Sequence, residues 1–356
     1  MVEGKVAIIK AQGELYNDLK KGIEMVKSFD FRDDDLIVIK PNLCDLNMNA
    51  VTKRDMVECL IRYIREKTNA PIKIVESNHW ITTADHEFEY FGYDVLPDMY
   101  KNVELVNLSK EKKIKIAING AFFETFDAPE VLLKATKFIS VARLKTHVQQ
   151  KMTCILKNQF GLIPEKYKSK YHPFMNKVLF DINTFVKPCL CIVDAREVME
   201  GFGPSSGRIR KMDLILVGDQ PEVVDSIAAE LIGFEPSCVP TLKYSLNRKG
   251  ASQSNITVLG EDIETMKQKL EFVPFLTYFS YRLAFRIQAI SAWLENFATR
   301  LAKFAFSVGL GIFLLYREEV ETLDHGLLQR GYAWRYIKGI MSKFWVVLKL
   351  KIQRIA

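Results

Sequence analysis

The sequence predicts an α/β protein: a layered, mostly parallel sheet with flanking helices, followed by a C-terminal helical module. Three observations carry that prediction. Short apolar runs of strand length alternate with helix-length stretches through the first 233 residues. The runs are rich in Val, Ile and Leu throughout instead of alternating with polar residues, as strands buried on both faces require. Polar and charged groups gather just past the C-terminal ends of these runs, where open parallel sheets bind their ligands.

Buried strands are expected at Lys5 to Ala11, Leu36 to Asn42, Ile72 to Ser77, Phe138 to Leu144, Cys189 to Asp194 and Leu214 to Gly218. The helix after the second strand has a capping-box start at Thr52-Lys-Arg-Asp55 and a stop near Thr68-Asn69, before Pro71. Asp219-Gln-Pro-Glu222 repeats the device after the last strand, with Pro in the first turn. Residues 101–128 read as strand-like, and Ile118-Asn119-Gly120-Ala121 offers a hairpin turn. A helix from Phe174 to Val186 carries Asp181 inside its apolar stripe, where a carboxylate needs a partner. Asp181 then serves either as a base or ligand at the site, or as a loop cap or the partner of a buried Lys.

With 356 residues, 48% of them hydrophobic, the chain can bury one large core or two modest ones, and global disorder is excluded. Two units are expected: an α/β core over residues 1–270 that holds the site, and a basic, apolar helical module over 271–356. The charge is uneven, with 12 Lys and Arg against 6 Asp and Glu in 271–356, but 38 against 37 before it. Joined to abundant Phe, Trp, Tyr and Leu, that excess points to an anionic membrane surface rather than to nucleic acid. The run Phe304 to Tyr316 has 13 residues, short of the roughly 20 a spanning helix needs. Arg282, Arg286, Asn296, Arg300 and Lys303 share one helical face, with Trp293 among the basic residues, as in an interfacial helix. Packing on the core or in a homo-oligomer interface is the competing reading. Six cysteines without a Cys-x-x-Cys pair, and a start that lacks a signal peptide, lead to the expectation of a cytoplasmic protein. The helical module adds the expectation of peripheral attachment to the inner face of the cell membrane.

The second strand ends in Lys40-Pro41-Asn42, the third in Glu76-Ser77-Asn78-His79, the fourth in Arg143-Leu144-Lys145-Thr146-His147 and the fifth in Asp194. Thr146 and Gln149 have capping-box spacing, so a helix is expected to start at His147, its free N–H groups forming an anion site beside Arg143 and Lys145. On that helix His147, Lys151, Cys154 and Asn158 share a stripe, and Gly161 is expected to end it in the left-handed conformation. Gly201, Gly203 and Gly207 would let backbone approach a ligand closely, although their spacing matches neither a dinucleotide fingerprint nor a P-loop.

The candidate catalytic residues are therefore His147, Asp194 and Glu200. The candidate substrate-binding residues are Lys40, Asn42, Arg143, Lys145, Lys151, Lys157, Asn158, Gly201 and Gly203. His147 would act as general acid or base, with Asp194 or Glu200 orienting it or holding a divalent cation; otherwise the two carboxylates only fix their loop. The five histidines show no local metal-ligand spacing, and Cys154 lacks the sequence context of a nucleophile.

Taken in order, Lys40-Pro41-Asn42, Lys145-Thr146-His147, Lys157-Asn158, Phe160-Gly161, His172, Asp181-Ile182, Asp194, the Glu200 to Gly207 segment and Asp225 resemble the domain of unknown function 362 family over roughly residues 36–235. In many relatives the resemblance implies a ferredoxin-like module with two four-iron clusters. The run of closely spaced cysteines is missing from this chain, so no iron–sulfur cluster is expected. Two readings of function follow. One is an enzyme acting on a small carboxylated or phosphorylated substrate held at the strand ends; the other is a non-catalytic, membrane-associated metabolite-binding or scaffold protein.

Overall fold

The computed structural model describes residues 3–250, 255–273 and 278. The chain runs from β1 (Gly4–Lys10) through α1 (Leu15–Val26), β2 (Ile37–Lys40), α2 (Arg54–Arg65) and β3 (Ile72–Glu76) to α3 (Ala84–Tyr90), α4 (Leu96–Met99) and β4 (Val103–Asn107). A separate hairpin of β5 (Lys113–Ala117) and β6 (Thr125–Pro129) leads through α5 (Glu130–Lys134) into the long β7 (Lys137–His147). Short β8 (Lys151–Thr153) and α6 (Ile155–Asn158) precede α7 (Met175–Phe185), β9 (Leu190–Glu200) and β10 (Arg208–Gly218). The described chain ends with α8 (Pro221–Leu231), α9 (Pro240–Arg248), β11 (Ile256–Gly260) and α10 (Ile263–Met266).

The main sheet has the order β11-β1-β10-β9-β7-β2-β3-β4, with β8 folded back on the end of β7. All the pairings are parallel except those of β10 with β1 and β9, and that of β8. Ile39, Val141, Ile192 and Val217 pack with Leu19, Ile23, Leu60 and Ile64 of α1 and α2 on one face. Leu144, Val193 and Leu216 pack with Val224 and Ile227 of α8 on the other. Both faces are covered, which is why the strands are apolar throughout.

The helix expected from His147 does not form. β7 runs on to His147, the chain turns, and β8 pairs back with His147 opposite Lys151. The Thr146 hydroxyl is spent on the carbonyls of Met199 and Gly201 in β9 and its turn, so it cannot cap. The same competition defeats two other expected caps. Thr52 accepts from the Asn42 N–H and donates to Val141 O, and Asp219 accepts from the Lys5 N–H. β9 runs past its expected end and β10 begins before its expected start, so the two form a long hairpin that puts Asp194 in mid-strand. Gly161 is not left-handed. It is required because a Cβ there would stand 2.6 Å from Lys40 Nζ and 2.5 Å from Glu76 Oε1.

The hairpin expected near Asn119-Gly120 is present, with its turn widened to span 118–124. Asp181 caps that turn, accepting from the N–H groups of Ala121, Phe122 and Phe123 at 2.7, 2.7 and 2.9 Å. Glu271 to Val273 pack against the β9–β10 turn through Glu200, Gly201, Phe202 and Val148, so contacts with the core continue past residue 270. The rest of the expected helical module lies outside the described residues. Among those described, no helix is long and apolar enough to cross a membrane.

Candidate functional site

The parallel neighbours β3, β2 and β7 bring Glu76, Lys40 and the last turns of β7 to one edge of the sheet. Lys40 is buried there, and its ammonium donates to Glu76 Oε2 at 2.6 Å and to Pro41 O at 2.6 Å. Glu76 also accepts from the N–H groups of Leu43 and Ser77, so its charge is matched.

Asn158 ties the following segment to this edge. Its amide donates to Lys40 O and Ser140 Oγ, and its oxygen accepts from Asn42 Nδ2 at 3.1 Å. Asp225, which burial raises to a pKa of about 7, accepts from the N–H groups of Ile155 and Leu156 and so holds the turn that carries Lys157. Lys145 lies fully buried, donating to Asn42 Oδ1 at 2.9 Å, Ala50 O at 2.5 Å and Cys44 Sγ at 3.3 Å. Its three donors are thereby engaged within the protein, so Lys145 braces the 42–50 loop. Lys168, from the segment before α7, donates to Ser77 Oγ and to Asn78 O.

Lys157 differs from these three lysines. Its ammonium lies 4.5 Å from the centre of the Phe160 ring, and it has no hydrogen bond or ion pair among the described residues. Burial pushes its pKa down to about 8; Cys44 opposes that shift, while Lys145, Lys168 and Lys40 add to it. Lys168 is likewise pushed down to about 8, chiefly by burial. The carboxylates nearby do not balance this charge. Glu76 is paired with Lys40, and burial with repulsion from Glu76 raises Glu87 well above the usual carboxylate range.

His147 faces the same cations. Burial first, then Lys157, His172 and Lys145, holds its pKa well below the usual value, so the ring is neutral. Nδ1 accepts from the N–H groups of Gln149 and Gln150 at 3.1 and 3.2 Å, which leaves the ring proton on Nε2. His172, edge-on to Phe160 at 5.6 Å, is pushed down to about 4 by burial and Lys157.

Neither expected carboxylate partner reaches His147. Asp194 is fully buried, held by Arg143 at 3.0 Å and by Arg196 at 2.9 Å, with Arg196 forked on Asp55 at 2.8 Å. Burial would raise its pKa, but the two guanidiniums outweigh that and lower it. Glu200 is taken by Arg208, Arg210 and the Glu271 N–H. His147 is thus oriented by backbone amides, with no direct hydrogen bond to either carboxylate. Arg143 is likewise committed, to Asp194 and Glu197. Lys151 adopts φ +61° and lies over the Phe234 ring. Gly201 has φ +77°, and a Cβ on Gly203 would stand 1.8 Å from Thr146 O, so these glycines serve the contact between the β9–β10 turn and β7.

Of the expected residues, Lys40, Asn42, Lys145, His147, Lys157 and Asn158 do converge. Cys44, Glu87 and Lys168 complete the cluster. Lys168 lies in a run, Glu165 to Lys170, that reads in sequence as a solvated face and carries no signal of its burial.

All these strand-end residues fall inside one matched region, because the model of the family described as Domain of unknown function (DUF362) aligns with residues 37–230. The chain belongs to that family. Its relatives include a thylakoid-associated protein of Synechocystis sp., 24% identical over 219 residues, a stretch covering 58% of this chain and 66% of the relative. Among solved structures, the lactate racemase apoprotein of Thermoanaerobacterium thermosaccharolyticum aligns at 12% identity and a TM-score of 0.42, over 65% of this chain and 57% of that one. A Thermotoga maritima protein aligns at 10% identity and a TM-score of 0.35, over 56% of this chain and 53% of that one.

Proposed function

We propose that the edge formed by β2, β3, β7 and the Lys157–His172 segment binds a small carboxylated or phosphorylated molecule and is the active site of an enzyme acting on it. The observation that carries this reading is the ammonium of Lys157, without a hydrogen bond or ion pair among the described residues and set among Lys40, Lys145 and Lys168. Lys157 is half-buried, and a cation partly withdrawn from water beside other cations is unfavourable; an anionic ligand would supply the missing charge through charge-assisted hydrogen bonds. Neutral His147, with its proton on Nε2, would donate to a substrate oxygen beside that anion.

Calorimetric titration of the full chain with inorganic phosphate, malate and 2-oxoglutarate tests the reading. At least one should bind and raise the melting temperature, and Lys157→Met should remove most of both effects while keeping the native circular dichroism. If wild-type protein binds none of the three, the site is not an anion site.

Membrane association is a second, separate proposal for residues 271–356. It is supported by their charge of 12 Lys and Arg against 6 Asp and Glu, and by the name of the thylakoid-associated relative. Full-length protein is expected to float with anionic liposomes at low salt and to be released as salt rises, and a chain ending at Leu270 should stay at the bottom of the gradient. Full-length protein that ignores anionic vesicles at low salt would refute the proposal.

A further inference from the structure

The strand-end cluster holds a second kind of information besides its charge. Lys40, Lys145 and Lys168 each donate at least two hydrogen bonds to protein atoms and so are fixed as braces. Lys157 donates none among the described residues and lies over the face of Phe160. A lysine can hold an anion while charged and act as a nucleophile once it has lost its proton. One left without acceptors, against an aromatic wall and beside other cations, is placed as a nucleophilic amine is placed. His147, whose protonation responds to Lys157, has its acceptor nitrogen occupied and keeps an N–H donor on Nε2, which suits a carbonyl oxygen better than a carboxylate already served by lysines.

We infer that Lys157 is an imine-forming lysine, and that the molecule bound at this edge is a 2-oxo acid whose carbonyl carbon it attacks. The inference rests on the anion-site reading and narrows it to a substrate with a carbonyl beside its carboxylate. Lys168, with two of its three N–H groups committed, keeps one for that carboxylate. His147 Nε2–H donates to the carbonyl oxygen. The Lys157 ammonium first gives up a proton to solvent water, and the amine lone pair then forms the C–N bond as the carbonyl π bond breaks onto oxygen, which takes a proton back from solvent. Two of the original three ammonium hydrogens leave with that oxygen as water, and the third stays on the iminium nitrogen. Charge is conserved, and no oxidant or reductant takes part. The iminium is an electron sink at the carbon next to the carboxylate, the chemistry needed for proton loss, decarboxylation or carbon–carbon cleavage at neighbouring positions.

The loss of a proton by Lys157 at about pH 8 leaves a useful fraction of free amine at neutral pH. Trapping should therefore become faster as pH rises toward 8, the opposite trend from that of simple anion binding.

The test is reductive trapping on the full chain. Glyoxylate, pyruvate and 2-oxoglutarate are each added with sodium cyanoborohydride, and malate with the same reductant serves as a carbonyl-free control. Intact-mass analysis should show a single reduced adduct with at least one of the oxo acids and none with malate, and peptide mapping should place it on Lys157. Lys157→Arg keeps the charge and stem, and should reduce the adduct to the level of the malate control. Adducts scattered over exposed lysines, equal trapping by Lys157→Arg, or no adduct with any of the three acids would overturn the inference. The calorimetric titrations separate that failure from failure of the anion site: oxo acids that bind without being trapped leave the anion reading standing, whereas acids that do not bind remove both.

Discussion

Replacing Arg143 by alanine is expected to cost about 3–5 kcal/mol of stability, because it leaves a buried carboxylate short of a counter-charge. That is a large share of the roughly 5–15 kcal/mol by which a folded domain exceeds its unfolded state. Arg143 is fully buried in β7, directly beside Asp194 of β9 in the parallel register, and its guanidinium reaches Glu197 as well. Asp194 in turn fixes Arg196, which forks onto Asp55 in the first turn of α2. Removing Arg143 therefore loosens a network joining β7, β9 and α2, the frame on which the lysine cluster stands. Urea denaturation of Arg143→Ala, Asp194→Ala and the double variant forms a cycle that checks this. The double variant should be less damaging than the sum of the singles, because it removes both buried charges together. A near-neutral Arg143→Ala, or one that abolishes anion binding at unchanged stability, would return Arg143 to the substrate-binding set.

The affinity of the site for a non-carbonyl anion such as phosphate is expected to be highest below pH 8 and to fall as pH rises through it. Beyond about 8, each of Lys157 and Lys168 would weaken binding by up to roughly tenfold per pH unit, since a tenfold change in protonation is about 1.4 kcal/mol. The sign follows from which form binds: the anion favours the ammonium, and both pKa values are depressed from 10.5 in the free protein. The same depression means that these lysines contribute stability to the unliganded protein above pH 10.5, and that this contribution is lost as pH falls through about 8. Bound anion should flatten that dependence by restoring the charged form. Lys157→Met should remove about half of the pH effect on affinity along with most of the affinity itself. An affinity unchanged between pH 7 and pH 10, measured by calorimetry in buffers of matched ionic strength, would show that the ligand does not meet these ammonium groups.

Local chemistry can be read where a residue's partner is local or its burial follows from period. The strand runs at Ile37–Lys40, Ile72–Glu76 and Leu214 to Gly218, the helix Met175–Phe185 and the hairpin near Asn119-Gly120 were all legible on that basis. The errors share one cause. Thr146, Thr52 and Asp219 each look like helix caps, because a short polar side chain three residues before a second polar residue is the only local use visible for it. In the fold each hydrogen-bonds a distant backbone group instead: Met199 and Gly201, Asn42 and Val141, and Lys5. The loss of the Thr146 cap turned an expected helix into a strand, a turn and a second strand, and with it the expected stripe of His147, Lys151, Cys154 and Asn158.

By itself the sequence determined the α/β class, the membership of the family and the edge of the sheet at which charge collects, because these follow from period, composition and motif order. Only the tertiary structure decided what each charge there is for. Asp194, Glu200 and Arg143 are committed to one another or to further arginines and carboxylates, Lys40 and Lys145 are braces, and Lys157 is left without a partner among the described residues. Whether a buried ion is structural or available depends on which opposite charge the fold sets beside it, here 36 residues away for Lys40 and 51 for Arg143. Pairings at that separation leave no trace in local spacing, so a free lysine and a paired one look alike until strand order brings their neighbours together.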